Sequence, residues 1–190
     1  MSLFSAEAPA VDASFAGLVR HQLDESAWLD EVPGWVTGAA ALFETIAEQA
    51  PWETRTRWMY EKEVVEPRLT ATWKDLALPV IDEMRAALRE RYGPDFDRGG
   101  LNLYRDGRDS VAWHRDRIPK EVVDPIVAIV TLGEARDFLM RPRGGGKSVK
   151  FTPAAGHLIV TGGRAQRTWE HSVPKRRSAG PRMSITFRHS

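Results

Sequence analysis

The sequence predicts an α+β protein with a mainly β core, a sandwich or barrel of short strands against which N-terminal helices pack. Three observations carry this expectation. The 190 residues, 42% hydrophobic and 28% charged, suit one globular domain with a sizeable interior. Helical periodicity is confined to the first half of the chain. After Gly100, short β-like segments follow one another between turn residues, a spacing that favours a sandwich or barrel over βαβ units.

Taken in order, residues 1–14 read as a flexible leader before a single domain over 15–190, with a helical portion over about 15–99 and the β core over 100–190. Residues 36–50 predict a helix: Leu42, Phe43 and Ile46 share a face, and Pro51 ends it. Residues 75–92 predict a second, with Pro79 near its start, a stripe of Val80, Ile81, Met84 and Leu88, and Gly93-Pro94 as its stop. Strands are expected over 100–104, 111–116, 126–132, 137–141, 147–151, 157–161 and 182–188. Asp106-Gly107, Gly144-Gly145-Gly146 and Gly162-Gly163 supply turns between them.

Composition narrows the chemistry. The chain has no Cys, which excludes disulfides, iron–sulfur clusters and thiolate zinc, so a metal would sit on His and carboxylate. No apolar stretch approaches the roughly 18 residues of a membrane span, and the acidic N-terminus lacks a signal-peptide pattern. A cytoplasmic monomer without an obligate protein partner is the expectation. The net charge of +1 hides an asymmetry. Residues 136–190 hold 12 Lys and Arg against Asp137 and Glu170, a balance of +10, and the remainder balances at −9. A basic third can attract a polyanion such as nucleic acid; a solvated basic face offset by an acidic one has the same composition.

Residues two apart on a strand share a face, so His114 and Asp116 point the same way, as do Asn102 and Tyr104 across the Asp106-Gly107 turn. A lone His-x-Asp pair also describes a polar strand face. Joined by a second His, it makes a two-His, one-carboxylate face on iron(II) that leaves positions open for cosubstrate and oxygen. Of the five His, His171 and His157 compete for that place; His21 and His189 read as surface residues. On the last strand Arg182, Ser184, Thr186 and Arg188 share one face, and Met183, Ile185 and Phe187 the other. The two Arg Cα atoms stand roughly 20 Å apart at about 3.3 Å per residue. Long side chains leaning together would leave a gap suited to a short dicarboxylate, which the guanidinium fork binds bidentately. Two unrelated Arg on a solvent-facing strand give the same pattern.

Several pieces occur together and in order: Asn102-Leu103-Tyr104, Asp106-Gly107, Asp109-Ser110, Trp113-His114-Arg115-Asp116, Trp169-Glu170-His171-Ser172-Val173-Pro174-Lys175, and Pro181-Arg182-Met183-Ser184-Ile185-Thr186-Phe187-Arg188. Over about residues 64–190 the chain resembles the AlkB family of nucleic-acid dealkylating dioxygenases. The resemblance implies a double-stranded β-helix, or jelly roll. It implies iron(II) on His114, Asp116 and His171, 2-oxoglutarate and O2 as cosubstrates, and Asn102, Tyr104, Arg182, Ser184 and Arg188 around the 2-oxoglutarate. Ser184 stands where relatives often carry Asn.

Residues 66–73 resemble the family's nucleotide-recognition lid, which places Arg68 at a phosphate and Trp73 on a flipped base; Trp73 capping the core and Arg68 pairing with an acid is the plainer alternative. Several repair members carry acids directly after the metal Asp, whereas Arg117-Ile118 follow Asp116 here, so Arg117 meets a base edge or phosphate as a cation. The implied activity is oxidative N-dealkylation of alkylated DNA or RNA bases. A dioxygenase acting on RNA, protein or a small molecule, and a non-catalytic ligand-binding β-sandwich, are the rival readings.

Overall fold

A computed structural model describes residues 7–59 and 61–189. Two antiparallel sheets dominate it. Along the chain come β1 (Ala10–Val11), β2 (Val19–Gln22), β3 (Ala27–Val32), β4 (Val36–Thr37), α1 (Ala39–Gln49), β5 (Glu53–Met59), β6 (Lys62–Ala71) and α2 (Pro79–Tyr92). There follow β7 (Arg98–Tyr104), β8 (Val111–His114), β9 (Val127–Gly133), β10 (Phe138–Pro142), β11 (Val149–Phe151), β12 (Leu158–Gly163), α3 (Ala165–Thr168), β13 (Trp169–Val173) and β14 (Arg182–Arg188). The major sheet runs β2-β3-β12-β9-β14-β7-β6-β5, the minor sheet β11-β10-β13-β8. This is the jelly roll.

Strand alternation builds two cores. On β9, Ala128, Val130 and Leu132 face the helices while Val127 and Ile129 face the other way; on β14, Met183, Ile185 and Phe187 join the helix-side core. There they meet Leu42 and Ile46 of α1 and Ile81, Met84 and Leu88 of α2. The second core contains Ile129, Phe138, Met140, Ile159 and Val173. The polar face of β14 is thereby turned inward, between the sheets, where only satisfied or ligand-bound polar groups are stable.

The expectation of a helical portion over 15–99 is corrected. β2 to β6 lie within it, and four of them extend the major sheet. β2–β3 and β5–β6 are local hairpins, but β3 also hydrogen-bonds along the distant β12, and its fully buried Asp30 breaks the apolar alternation. In β6, Pro67 argues against a strand. It is accommodated where the β5–β6 register shifts, between the Thr54–Leu69 and Thr56–Val65 pairs. Ala10 and Val11, expected in a flexible leader over 1–14, instead pair with Thr37 and Val36; residues 1–6 lie outside the described part. The first helix begins at Ala39, later than residue 36, because Val36–Thr37 is that pairing strand and Gly38 turns the chain at φ 60°. The second begins at Pro79, whose missing N–H costs nothing in a first turn.

Candidate metal and cosubstrate site

A cavity of about 450 Å³ opens between the sheets. β8 and β13 are antiparallel neighbours with His114 directly opposite His171, so their rings meet at 4.2 Å between centroids. Asp116, just past the end of β8, completes the group. Its Oδ1 lies 3.8 Å from His114 Nε2 and 4.0 Å from His171 Nε2, and one donor atom from each of the three falls within 4.8 Å of the others. His114 Nδ1 is 2.9 Å from the Ala112 carbonyl, which fixes it as the protonated nitrogen and leaves Nε2 a lone pair. Phe138 stacks on His171 at 5.3 Å.

The charges suit a cation. Burial pushes the His171 imidazole down to about 3, helped by the neighbouring His114, so the ring is neutral at ordinary pH. Burial alone would raise the Asp116 carboxyl, but the Arg188 guanidinium and the two imidazoles outweigh it and hold it at about 2. Arg188 Nε donates to Asp116 Oδ2 at 2.7 Å, and the Asp116 backbone N–H donates to Gln166 Oε1 at 3.1 Å. One carboxylate oxygen is thus anchored while the other faces the imidazoles. Two imidazoles and one ionised carboxylate, gathered on one side of the cavity, form a site for iron(II).

At the far end of β14, Arg182 is 1% exposed. Its Nη2 donates to Thr131 Oγ1 at 3.2 Å and its guanidinium lies 5.1 Å from the centre of the Tyr104 ring, but Nε and Nη1 have no hydrogen-bond partner among the described residues. A buried cation with two unsatisfied donors, and no ion pair to an acid among the described residues, calls for an anionic ligand. Asn102, beside Ser184 in the β7–β14 register, donates to its hydroxyl at 3.3 Å. All five residues expected around 2-oxoglutarate line the same cavity as the triad.

Residues 21–188 match the model of the 2OG-Fe(II) oxygenase superfamily. The chain belongs to that superfamily. Among relatives of this oxygenase, the alpha-ketoglutarate-dependent dioxygenase alkB homolog 3 of Bos taurus is 32% identical over 182 residues, covering 82% of this chain and 64% of the relative. The DNA oxidative demethylase ALKBH2 of Mus musculus is 31% identical over 135 residues, 63% of this chain and 56% of the relative. The chain therefore spans under two thirds of the length of these relatives. A Trichoplax adhaerens prolyl hydroxylase structure superposes with a TM-score of 0.56 at 13% identity, over 84% of this chain and 82% of that one, a likeness of fold.

The remaining expected residues of the oxygenase separate. Arg68 lines the cavity, paired with Glu66 on its own strand through Nη2–Oε2 at 3.3 Å. Arg117 also lines it and is solvent-exposed, while Ile118 turns into the inter-sheet core. Trp73 is corrected. It is 4% exposed, packs 5.6 Å from Phe187, is overlain by Arg85, and donates Nε1 to the Thr186 carbonyl at 3.0 Å. Gly99 makes room for that crossing, because a Cβ there would overlap Thr186 O. Trp73 caps the core and does not face the cavity. His157 is half-buried away from the triad, and His189 is also no surface residue, since its Nε2 accepts the Ile126 N–H at 3.0 Å.

Thr131, Gln166, Arg167 and Glu66 escape the sequence reading. Thr131 follows Val127 and Ile129 in alternation and was legible in principle. Gln166 bridges the Asp116 N–H and Thr161 Oγ1, and Arg167 holds the carbonyls of Ile118, Pro119 and Val122. Neither carries a local signal.

Proposed function

We propose that this chain is an iron(II)- and 2-oxoglutarate-dependent dioxygenase that removes N-alkyl groups from nucleic-acid bases. In this reading His114, Asp116 and His171 hold iron(II), which with 2-oxoglutarate and O2 supplies the oxidising power to break an unactivated C–H bond. Arg182 binds the distal carboxylate of 2-oxoglutarate, with Tyr104, Asn102 and Ser184 along its length. Arg188 keeps Asp116 ionised and aimed. Phe138, Ile129 and Val173 form apolar wall around the centre and exclude bulk water. The observation that carries the cosubstrate is the buried Arg182, two of whose guanidinium donors lack a partner among the described residues, in the cavity that holds the triad.

Two lines support a nucleic-acid substrate. The names of the similar proteins include a DNA oxidative demethylase. The cavity is also ringed by exposed cations, Arg55, Arg98, Arg115 and Arg117, arranged as a polyanion would require. The test is mass spectrometry of oligonucleotides bearing N1-methyladenine or N3-methylcytosine, incubated with iron(II), 2-oxoglutarate and ascorbate, alongside a succinate assay. Loss of the methyl mass in wild type but not in His114→Ala is the expected result. Succinate formation with no alkylated DNA or RNA processed would overturn the nucleic-acid substrate and leave the dioxygenase.

A further inference from the structure

Glu66 stands in the cavity with no role in the chemistry above. Glu66, Arg68 and Thr70 of β6 all line the cavity that His114 of β8 and the following Asp116 also line. The Glu66 side chain is 12% exposed, and that of Arg68 likewise. Among the described residues lining this cavity, the carboxylates are Asp116 and Glu66. Asp116 faces the two imidazoles and Arg188. Position 117, next to the metal group, is an exposed Arg. The other ionised groups around the cavity are cations: Arg55, Arg68, Arg98, Arg115, Arg117, Arg182 and Arg188.

We infer that Glu66 is the specificity-determining residue of this oxygenase, accepting the exocyclic amine of the base in the cavity and offsetting the positive charge of a ring-alkylated adenine or cytosine. This rests on the dealkylation reading above and deepens it. Alkylation of adenine N1 or cytosine N3 leaves the ring cationic with an amine donor beside the alkyl group; N3-alkylated thymine is neutral and offers carbonyls on both sides. A cationic base entering a cavity walled by guanidinium groups meets repulsion unless an anion stands near it, and a carboxylate is both that anion and the acceptor an amine needs. A carbonyl edge against Glu66 places two acceptors together, which disfavours it. Arg68 holds Glu66 on the wall, and the exposed guanidinium groups remain at the mouth for phosphates.

The experiment compares kcat/KM for one single-stranded oligonucleotide carrying either N3-methylcytosine, cationic, or N3-methylthymine, neutral. The wild type, Glu66→Gln and Glu66→Asp are each loaded with iron(II) and 2-oxoglutarate. Glu66→Gln keeps the shape and removes the charge, so the cytosine-to-thymine ratio should fall at least about tenfold, the scale of one charge-assisted hydrogen bond. Glu66→Asp should keep most of the ratio. A defect of folding or metal loading lowers both substrates together and leaves the ratio unchanged. A ratio in Glu66→Gln within about twofold of wild type, or an equal fall in both variants, overturns the assignment. Failure of the wild type on every methylated oligonucleotide strikes instead at the dealkylation reading.

Discussion

At the residue scale, the behaviour of the candidate metal centre follows from how three titratable groups are held before any metal arrives. His171 sits at about 3 and Asp116 at about 2 in the folded chain, both below their ordinary values. For Asp116 the stabilisation is complete above its unfolded value of 3.8 and is lost as pH falls through about 2. For His171 the unfolded chain takes a proton near 6.5 that the folded chain refuses until about 3, so stability declines as pH falls through that window. Urea unfolding of metal-free protein should show a falling midpoint from neutral pH to about pH 4. Saturating metal should raise stability at neutral pH, and a chelator should abolish that gain. Replacing His114, Asp116 or His171 by Ala should remove stoichiometric iron binding, while His157→Ala keeps it.

Arg182 makes the second residue-scale prediction. Removing a guanidinium that binds a carboxylate costs about 1.5–3 kcal/mol, so Arg182→Met should weaken 2-oxoglutarate roughly ten- to a hundredfold. Titration of succinate formation against 2-oxoglutarate reads this directly. An unchanged apparent affinity would remove Arg182 from the cosubstrate site. Arg188→Met should act differently, lowering iron occupancy, because Arg188 donates to Asp116.

At the element scale, the central strands of the major sheet set a different kind of residue on each face, so their faces are legible in sequence while their neighbours are not. β14 shows this best: its boundaries and both faces follow from alternation, whereas its place between β9 and β7 comes from long-range pairing. Trp73 shows the opposite case. A Trp beside a lid-like segment reads as a stacking platform, yet its indole crosses Gly99 to reach β14. Trp73→Ala should therefore cost about 3–5 kcal/mol, measured as a lowered urea midpoint, and leave the preference between lesions intact. A changed preference at unchanged stability would return Trp73 to the substrate. The single turn α3 is the least legible element. It ties the segment after Asp116 to β13 through Gln166 and Arg167, and nothing in its few residues announces those partners.

At the scale of the whole molecule, the basic excess of the C-terminal third divides between internal contacts and exposed residues away from the cavity, among them Arg143, Lys147, Lys150 and Arg164. Arg136 holds the carbonyls of Asp106, Asp109 and Pro174; Arg141 pairs with Glu170, Arg176 with Asp137, and Arg188 with Asp116, while Arg182 is buried. The exposed cations at the mouth come instead from β5, β7 and the end of β8, within the stretch whose net charge is negative. Single-stranded DNA binding should weaken with salt, and Arg115→Gln and Arg117→Gln should each reduce the slope by about 0.7 if each meets one phosphate. The Lys175-Arg176-Arg177 run lies outside the cavity wall, so its substitution should change the slope less.

The sequence by itself determined the absence of thiol chemistry, the polar and apolar faces of β7 and β14, the turns between the later strands, and the short list of residue types able to hold a hard cation and a dicarboxylate. These are local matters of side-chain period, turn geometry and donor chemistry, written within a few residues of one another. The resemblance selects His171 over His157, which spacing alone leaves open; only the tertiary structure decided that Trp73 belongs to the core, that Glu66 faces the cavity, and which guanidinium groups reach the mouth. Those outcomes depend on strand order and register, which follow from the burial of apolar surface over the whole chain. No local stretch of residues contains that sum.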